Sequence, residues 1–111
     1  MGYKNKTDVL KQLSAANKDR CQIFGHELND WSAPEWGNAV AGETGELCNK
    51  IKKLHRGDVI DLEDIGREAA DVVIYLDLLC QRLGIDLQTA IVNKFNEVSE
   101  KKGSPIQLYY Y

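Results

Sequence analysis

Apolar residues along this chain recur every three or four positions, and no convincing stretch alternates them with polar neighbours as a half-buried strand would. The spacing predicts four helices. The first runs from about Thr7 to Leu28, with Val9, Leu13, Ala16, Ile23 and Phe24 facing the core. Asn29 to Ser32 reads as a turn. Ser32-Ala33-Pro34-Glu35 has the form of a capping box with proline in the first turn, so a second helix starts there. That helix carries Trp36, Val40, Leu47, Ile51 and Leu54, and stops between His55 and Asp58. Asp61, Glu63 and Asp64 put negative charge where the macrodipole of a third helix favours it. Its stripe is Ile65, Ala69, Val72, Leu76, Leu79 and Leu83, widened by Val73 and Ile74, which predicts burial on more than one side. Gly84 ends it. Asp86 caps a fourth helix through Leu87, Ile91, Phe95 and Val98 to Lys102, closed by Gly103-Ser104-Pro105. Ile106 to Tyr111 is assigned to no element. The expectation is an all-α fold: one domain over 1–111, four helices, short connections.

Composition narrows the class. The chain has 111 residues, enough for one domain with a small core, which makes self-association an expectation. Fourteen Lys and Arg against 17 Asp and Glu leave a net charge of −3 with no basic run, a poor footprint for a nucleic-acid backbone. No apolar run is long enough for a membrane span, and the polar stretch Met1 to Lys6 is unlike a signal peptide. Cys21, Cys48 and Cys80 show no CxxC spacing and read as reduced core thiols of a cytosolic protein.

The informative residues are acids. Glu43 and Glu46 are three apart, as are Glu68 and Asp71, so each pair shares a helix face. In an antiparallel hairpin of helices two and three, Glu43–Asp71 and Glu46–Glu68 are both symmetric about Gly57 in the connecting loop. Each pair therefore stands at equal height, and helices packed about 8–10 Å apart bring four carboxylates together. Glu43 falls on the apolar stripe, flanked by Gly42 and Gly45, which leave room for a close approach. Converging carboxylates repel one another, and an all-oxygen site suits Mg²⁺ or Mn²⁺. A di-iron bundle needs Glu-x-x-His pairs, which the chain lacks, and Asp58 to Asp64 does not have the EF-hand pattern. The plain alternative is four solvated acids on exposed faces.

Other residues join by position. Tyr75 follows Asp71 by one turn and Glu68 by two, within reach of a ligand held there or else a core tyrosine. Lys50 and Lys53 follow the first acid pair and are candidates for phosphate, against the simpler reading of exposed helix lysines. Lys94 lies on the stripe of helix four, which favours an anion-facing role. Asn96 and Lys102 carry no signal of their own. Trp31 and Trp36 flank the start of helix two: Trp31 is a candidate to stack on a base, Trp36 to pack in the core. His26 and His55 read as surface residues.

Gly42-Glu43-Thr44-Gly45-Glu46-Leu47, followed by Glu68-Ala69-Ala70-Asp71 and Val72-Val73-Ile74-Tyr75, resembles the E-x-x-E…E-x-x-D signature of MazG-like nucleoside triphosphate pyrophosphatases. The resemblance covers about 30–105, including Asp30-Trp31-Ser32 and Lys94-Phe95-Asn96…Lys102-Gly103. It is greatest to the short single-domain branch common in bacteria and bacteriophages. The resemblance implies hydrolysis of a (d)NTP between its α and β phosphates, giving (d)NMP and pyrophosphate, in pool control or housecleaning. It implies Glu43, Glu46, Glu68 and Asp71 as ligands of two or more Mg²⁺ ions, with Mn²⁺ able to substitute and one glutamate, not distinguished by pattern, acting as base. It also implies Tyr75, Lys94, Asn96 and Lys102 as nucleotide contacts, and a homodimer or homotetramer whose assembly completes the helical bundle. The location implied is cytoplasmic, the host cytoplasm for a phage-encoded chain. Base and sugar preference stay open. The alternatives are a phosphoribosyl-ATP pyrophosphatase-like enzyme and a non-catalytic helical interaction module.

Overall fold

The computed structural model describes residues 9–109. Helices α1 (Val9–Ile23), α2 (Ala33–His55), α3 (Leu62–Arg82) and α4 (Leu87–Lys101) follow one another, with a short 3-10 turn, Leu28–Asp30, ahead of α2. There is no strand among the described residues, so the chain is all-α. No described helix is long and apolar enough to cross a membrane. The expected helix start at Thr7, the stretch Met1 to Lys6 and the last two tyrosines lie outside the described residues.

The helix starts are set by local chemistry. Ser32 accepts the Glu35 N–H while the Glu35 carboxylate returns a bond to the Ser32 N–H at 3.1 Å, a complete capping box. Asp61 and Asp86 accept N–H groups in the first turns of α3 and α4. The end of α1 corrects the sequence expectation: it stops at Ile23, five residues short of Leu28. Gly25 takes φ +86°, and the His26 N–H reaches back to the Cys21 carbonyl, so the chain closes in a left-handed cap that a side chain would resist. The freed segment forms the 3-10 turn, with the Glu27 N–H on Asp30 at 2.9 Å. Trp36 Nε1 donates to the Leu28 carbonyl at 2.8 Å and Arg82 Nε to the Trp31 carbonyl at 2.9 Å, which ties this segment to α2 and α3.

α3 is the hub. It touches α1, the 3-10 turn, α2 and α4, most extensively α2. The buried apolar residues are few: Trp36, Leu78, Cys80 and Val92. Several expected core positions lie elsewhere. On α1, Val9, Ala16 and Ile23 are exposed, as is Phe24 just beyond it, because the inward face of that helix is polar and meets α3 through Ser14 and Asn17. On α3, Ala69 is exposed, as is Leu83 at its C-cap, while Asp77, Leu78 and Cys80 are buried. On α4 the packed line runs through Val92 and Ser99, leaving Ile91, Phe95 and Val98 partly open to solvent. Cys48, on the outer side of α2, is exposed, unlike buried Cys80 and half-buried Cys21, and all three thiols are free. Burial, aided by Glu27 and Asp30, pushes the Cys21 thiol up, and burial with Asp77 does so for Cys80. The radius of gyration is 16.4 Å, against about 13 Å for a compact domain of this length. One chain alone is an open arrangement.

Candidate metal centre and adjoining cleft

α2 and α3 bring three acids together. Glu43, Glu68 and Asp71 are half-buried, and one carboxylate oxygen from each lies within 4.8 Å of the others. The inner oxygens, Oε2 of Glu43 and Oε2 of Glu68, are buried with no hydrogen-bond partner. A buried carboxylate oxygen without a donor carries a desolvation cost that a cation offsets. The Glu43 carboxyl is pushed above its ordinary value, first by burial, then by its acidic neighbours Glu46, Asp71 and Glu68. Hard oxygen donors, two of them orphaned, fit a divalent cation such as Mg²⁺ or Mn²⁺.

Glu46 stands apart from this group. It is exposed, and its charge bears on Glu43. Glu68 instead meets Lys50, one turn further along α2, with Nζ 3.1 Å from Oε1. Among the described residues three of the four expected ligands therefore converge, and a lysine accompanies them.

Asp71 also lies on the edge of a cleft of about 390 Å³ between α1, the 3-10 segment, α2 and α3. Its aromatic walls are Phe24, Trp31, Trp36 and Tyr75. The Trp31 and Trp36 rings lie 4.6 Å apart, tilted by 51°. Trp36 is buried, as expected of a packing residue, and Trp31 keeps enough exposure to meet a ligand. An aromatic cleft joined to an acidic group through one shared carboxylate can take a flat ring at one end and phosphates with their cation at the other.

The family model described as MazG nucleotide pyrophosphohydrolase domain matches residues 35–102. The chain belongs to the MazG family. The match spans nearly all of α2 and the whole of α3 and α4, with all four acids inside it and α1 and Trp31 outside. Neither the curated proteins nor the solved structures yielded a match. MazG domains are generally metal-dependent, in keeping with the three converging acids.

The remaining expected contacts are spread out. Lys53 lies on α2 one turn beyond Lys50. Lys94 is exposed and shares Glu97 with Lys101, at 3.5 and 3.0 Å, and the two ammonium groups hold the Glu97 carboxyl below the ordinary range. Asn96 is engaged by the C-terminal segment: its Nδ2 donates to the Leu108 carbonyl at 2.9 Å and its Oδ1 accepts the Leu108 N–H at 2.8 Å. Lys102 caps the C-terminus of α4. His26 and His55 are exposed. The sequence pattern did not single out Asn17, which lines the cleft, or Asp77, buried behind it. A signal was available for Asp77: one acid inside the otherwise apolar run from Val72 to Leu79, interrupted only there and at Tyr75.

Proposed function

We propose that this MazG protein is a Mg²⁺-dependent nucleoside triphosphate pyrophosphohydrolase, cleaving a (d)NTP between its α and β phosphates to (d)NMP and pyrophosphate. The observation that carries this reading is the pair of orphaned oxygens, Glu43 Oε2 and Glu68 Oε2, in a three-acid group that shares Asp71 with an aromatic cleft. Solvated surface acids on a mere interaction module have no reason to bury unpartnered oxygens. In this reading α2 and α3 form an antiparallel hairpin, and Glu43, Glu68 and Asp71, joined by Glu46, hold two or more ions.

Bound Mg²⁺ supplies charge neutralisation on the phosphates and acidifies a coordinated water. The chain's own residues do the rest. Trp31 and Tyr75 hold the base and sugar end, and Lys50 and Lys53 face the phosphates. Glu46, whose charge bears on Glu43 yet which lies outside the three-acid group, is the residue we assign as proton acceptor from the attacking water. Water oxygen forms the new P–O bond, the bridging P–O bond breaks, and pyrophosphate leaves. Lys94, Asn96 and Lys102 are proposed as nucleotide contacts in the assembled protein.

We assign the assembly to a homodimer or homotetramer. The chain exposes 8066 Å², against about 6,200 Å² for a compact monomer of 12.5 kDa, and Ile91, Phe95 and Val98 form part of that excess. A nucleotide pool enzyme of this kind works in the cytoplasm. The deciding experiment is pyrophosphate release from a panel of standard and modified dNTPs and NTPs. Release from at least one member with Mg²⁺ is expected, and silence with both Mg²⁺ and Mn²⁺ would sink the proposal.

A further inference from the structure

Asp77 is 2% exposed, and the reaction above gives it no part. Its carboxylate accepts hydrogen bonds from Ser14 Oγ at 2.6 Å, Gln81 Nε2 at 2.8 Å and Asn17 Nδ2 at 3.1 Å. Gln81 Nε2 also donates to the Ser14 carbonyl at 2.9 Å, and Asn17 Nδ2 to the Ile74 carbonyl at 2.9 Å. A buried carboxylate that collects this many donors fixes their orientation, because each would lose a partner by turning away.

The consequence falls on Asn17. It is 4% exposed and lines the cleft beside Trp36, Asp71 and Tyr75. Both hydrogens of its Nδ2 are committed, one to a carbonyl and one to a carboxylate. Neither of those partners can donate, so the amide has one orientation: the amino group faces α3, and only the acceptor Oδ1 remains for a ligand. Glu27 and Asp30 line the same cleft as acceptors and Arg20 as a donor, so at the wall that Asn17 forms it is Oδ1 that discriminates. A base amine meets this wall with a hydrogen bond. A base carbonyl in its place sets acceptor against acceptor and leaves Oδ1 buried and unpaired.

We propose that Asn17, with its amide held by Asp77, selects nucleotides whose base carries an exocyclic amine over their deaminated counterparts, in which a carbonyl replaces that amine. This rests on the reading above that the cleft receives the base. Asn17 contacts the base, and Asp77 is a positioning residue.

The test pairs cytosine with uracil, adenine with hypoxanthine, and guanine with xanthine nucleotides. For the triphosphates that turn over, the amine-bearing member is expected to have kcat/KM about tenfold or more above its partner, carried by KM. Asn17→Ala should collapse that ratio toward one. Asp77→Asn, close in shape, lets the Asn17 amide turn over and should collapse or invert the ratio while kcat moves little, with a lowered melting temperature expected because a donor among Ser14, Asn17 and Gln81 loses its acceptor. It also covers the case in which Asn17→Ala does not fold. An independent readout needs no turnover: both tryptophans of the chain line the cleft, so their fluorescence reports titration with the nucleoside monophosphates. Amine-selective monophosphate binding without any pyrophosphate release would overturn the function and leave this inference standing. Equal binding of a pair's two members, or a ratio that survives both substitutions, overturns the inference whatever the turnover.

Discussion

Lys50 Nζ lies 3.1 Å from Glu68 Oε1, while the other oxygen of that carboxylate is buried without a partner. One carboxylate thus holds an ammonium on its outer side and keeps its inner side for a cation. Lys50→Met removes the outer partner from an acidic neighbourhood. In EDTA the variant is expected to lose about 1 kcal/mol in urea denaturation, the upper range for a partly exposed pair. Saturating Mg²⁺ should shrink that deficit, because removing the ammonium beside Glu68 tightens cation binding, and the stability added by mass action grows with affinity. A deficit of equal size with and without Mg²⁺ would show that Lys50 is not coupled to the acid group.

Glu43 makes the pH dependence readable. Its folded carboxyl lies above the ordinary 4.5, chiefly through burial and then through its acidic neighbours, so the folded state binds the proton more tightly than the unfolded chain does. The stability this contributes is fully present below the ordinary value and is lost as pH rises through the folded one. At neutral pH without metal the ionised Glu43 is a liability. Glu43→Gln should therefore gain stability relative to the parent as pH rises from weakly acid to neutral in EDTA. Thermal melts of both proteins across that window check it, and a constant difference between them would contradict the assignment.

Gly42 and Gly45 lie inside α2, and a Cβ built on either would meet nothing within 4 Å. Helix propensity then acts unopposed, and each Gly→Ala change should stabilise the metal-free chain by roughly 0.5–1 kcal/mol. The same changes measured at protein concentrations where the chain self-associates separate two cases. A gain at both concentrations means the space is open in the assembly, and a gain confined to dilution means a second chain seats there.

What could be read from the sequence was local. Ser32, Asp61 and Asp86 announce helix starts because a cap forms within one turn of the residue that makes it. The acid spacing was legible for the same reason: residues three apart on a helix share a face whatever the helix packs against. The buried faces were not legible. Ile91, Phe95 and Val98 make a regular stripe, yet α4 meets α1 and α3 through Val92 and Ser99, since one chain does not cover the stripe. α1 turned its polar side inward because Asp77, far along the chain, needs donors. Glu46 could not be told from the other acids, as its exposure depends on how α2 is rotated against α3. Phe24-Gly25 held the signal for the early end of α1, but the apolar spacing ran past it.

Asn96 fastens the C-terminal segment by two bonds to one residue, donating to the Leu108 carbonyl at 2.9 Å and accepting its N–H at 2.8 Å. The resemblance cast Asn96 as a nucleotide contact, and the two roles separate in Asn96→Ala. Ser104 to Tyr109 has no helix or strand pairing of its own, so these bonds count for much of its anchoring. Two hydrogen bonds at about 1 kcal/mol each shift a local opening equilibrium by roughly tenfold or more. Cleavage by chymotrypsin at Leu108 or Tyr109 follows the open population while opening is fast relative to cutting, so it should accelerate by a similar factor with the melting temperature little changed. An unchanged cleavage rate together with a raised nucleotide KM would instead assign Asn96 to the substrate and make its hold on Leu108 incidental.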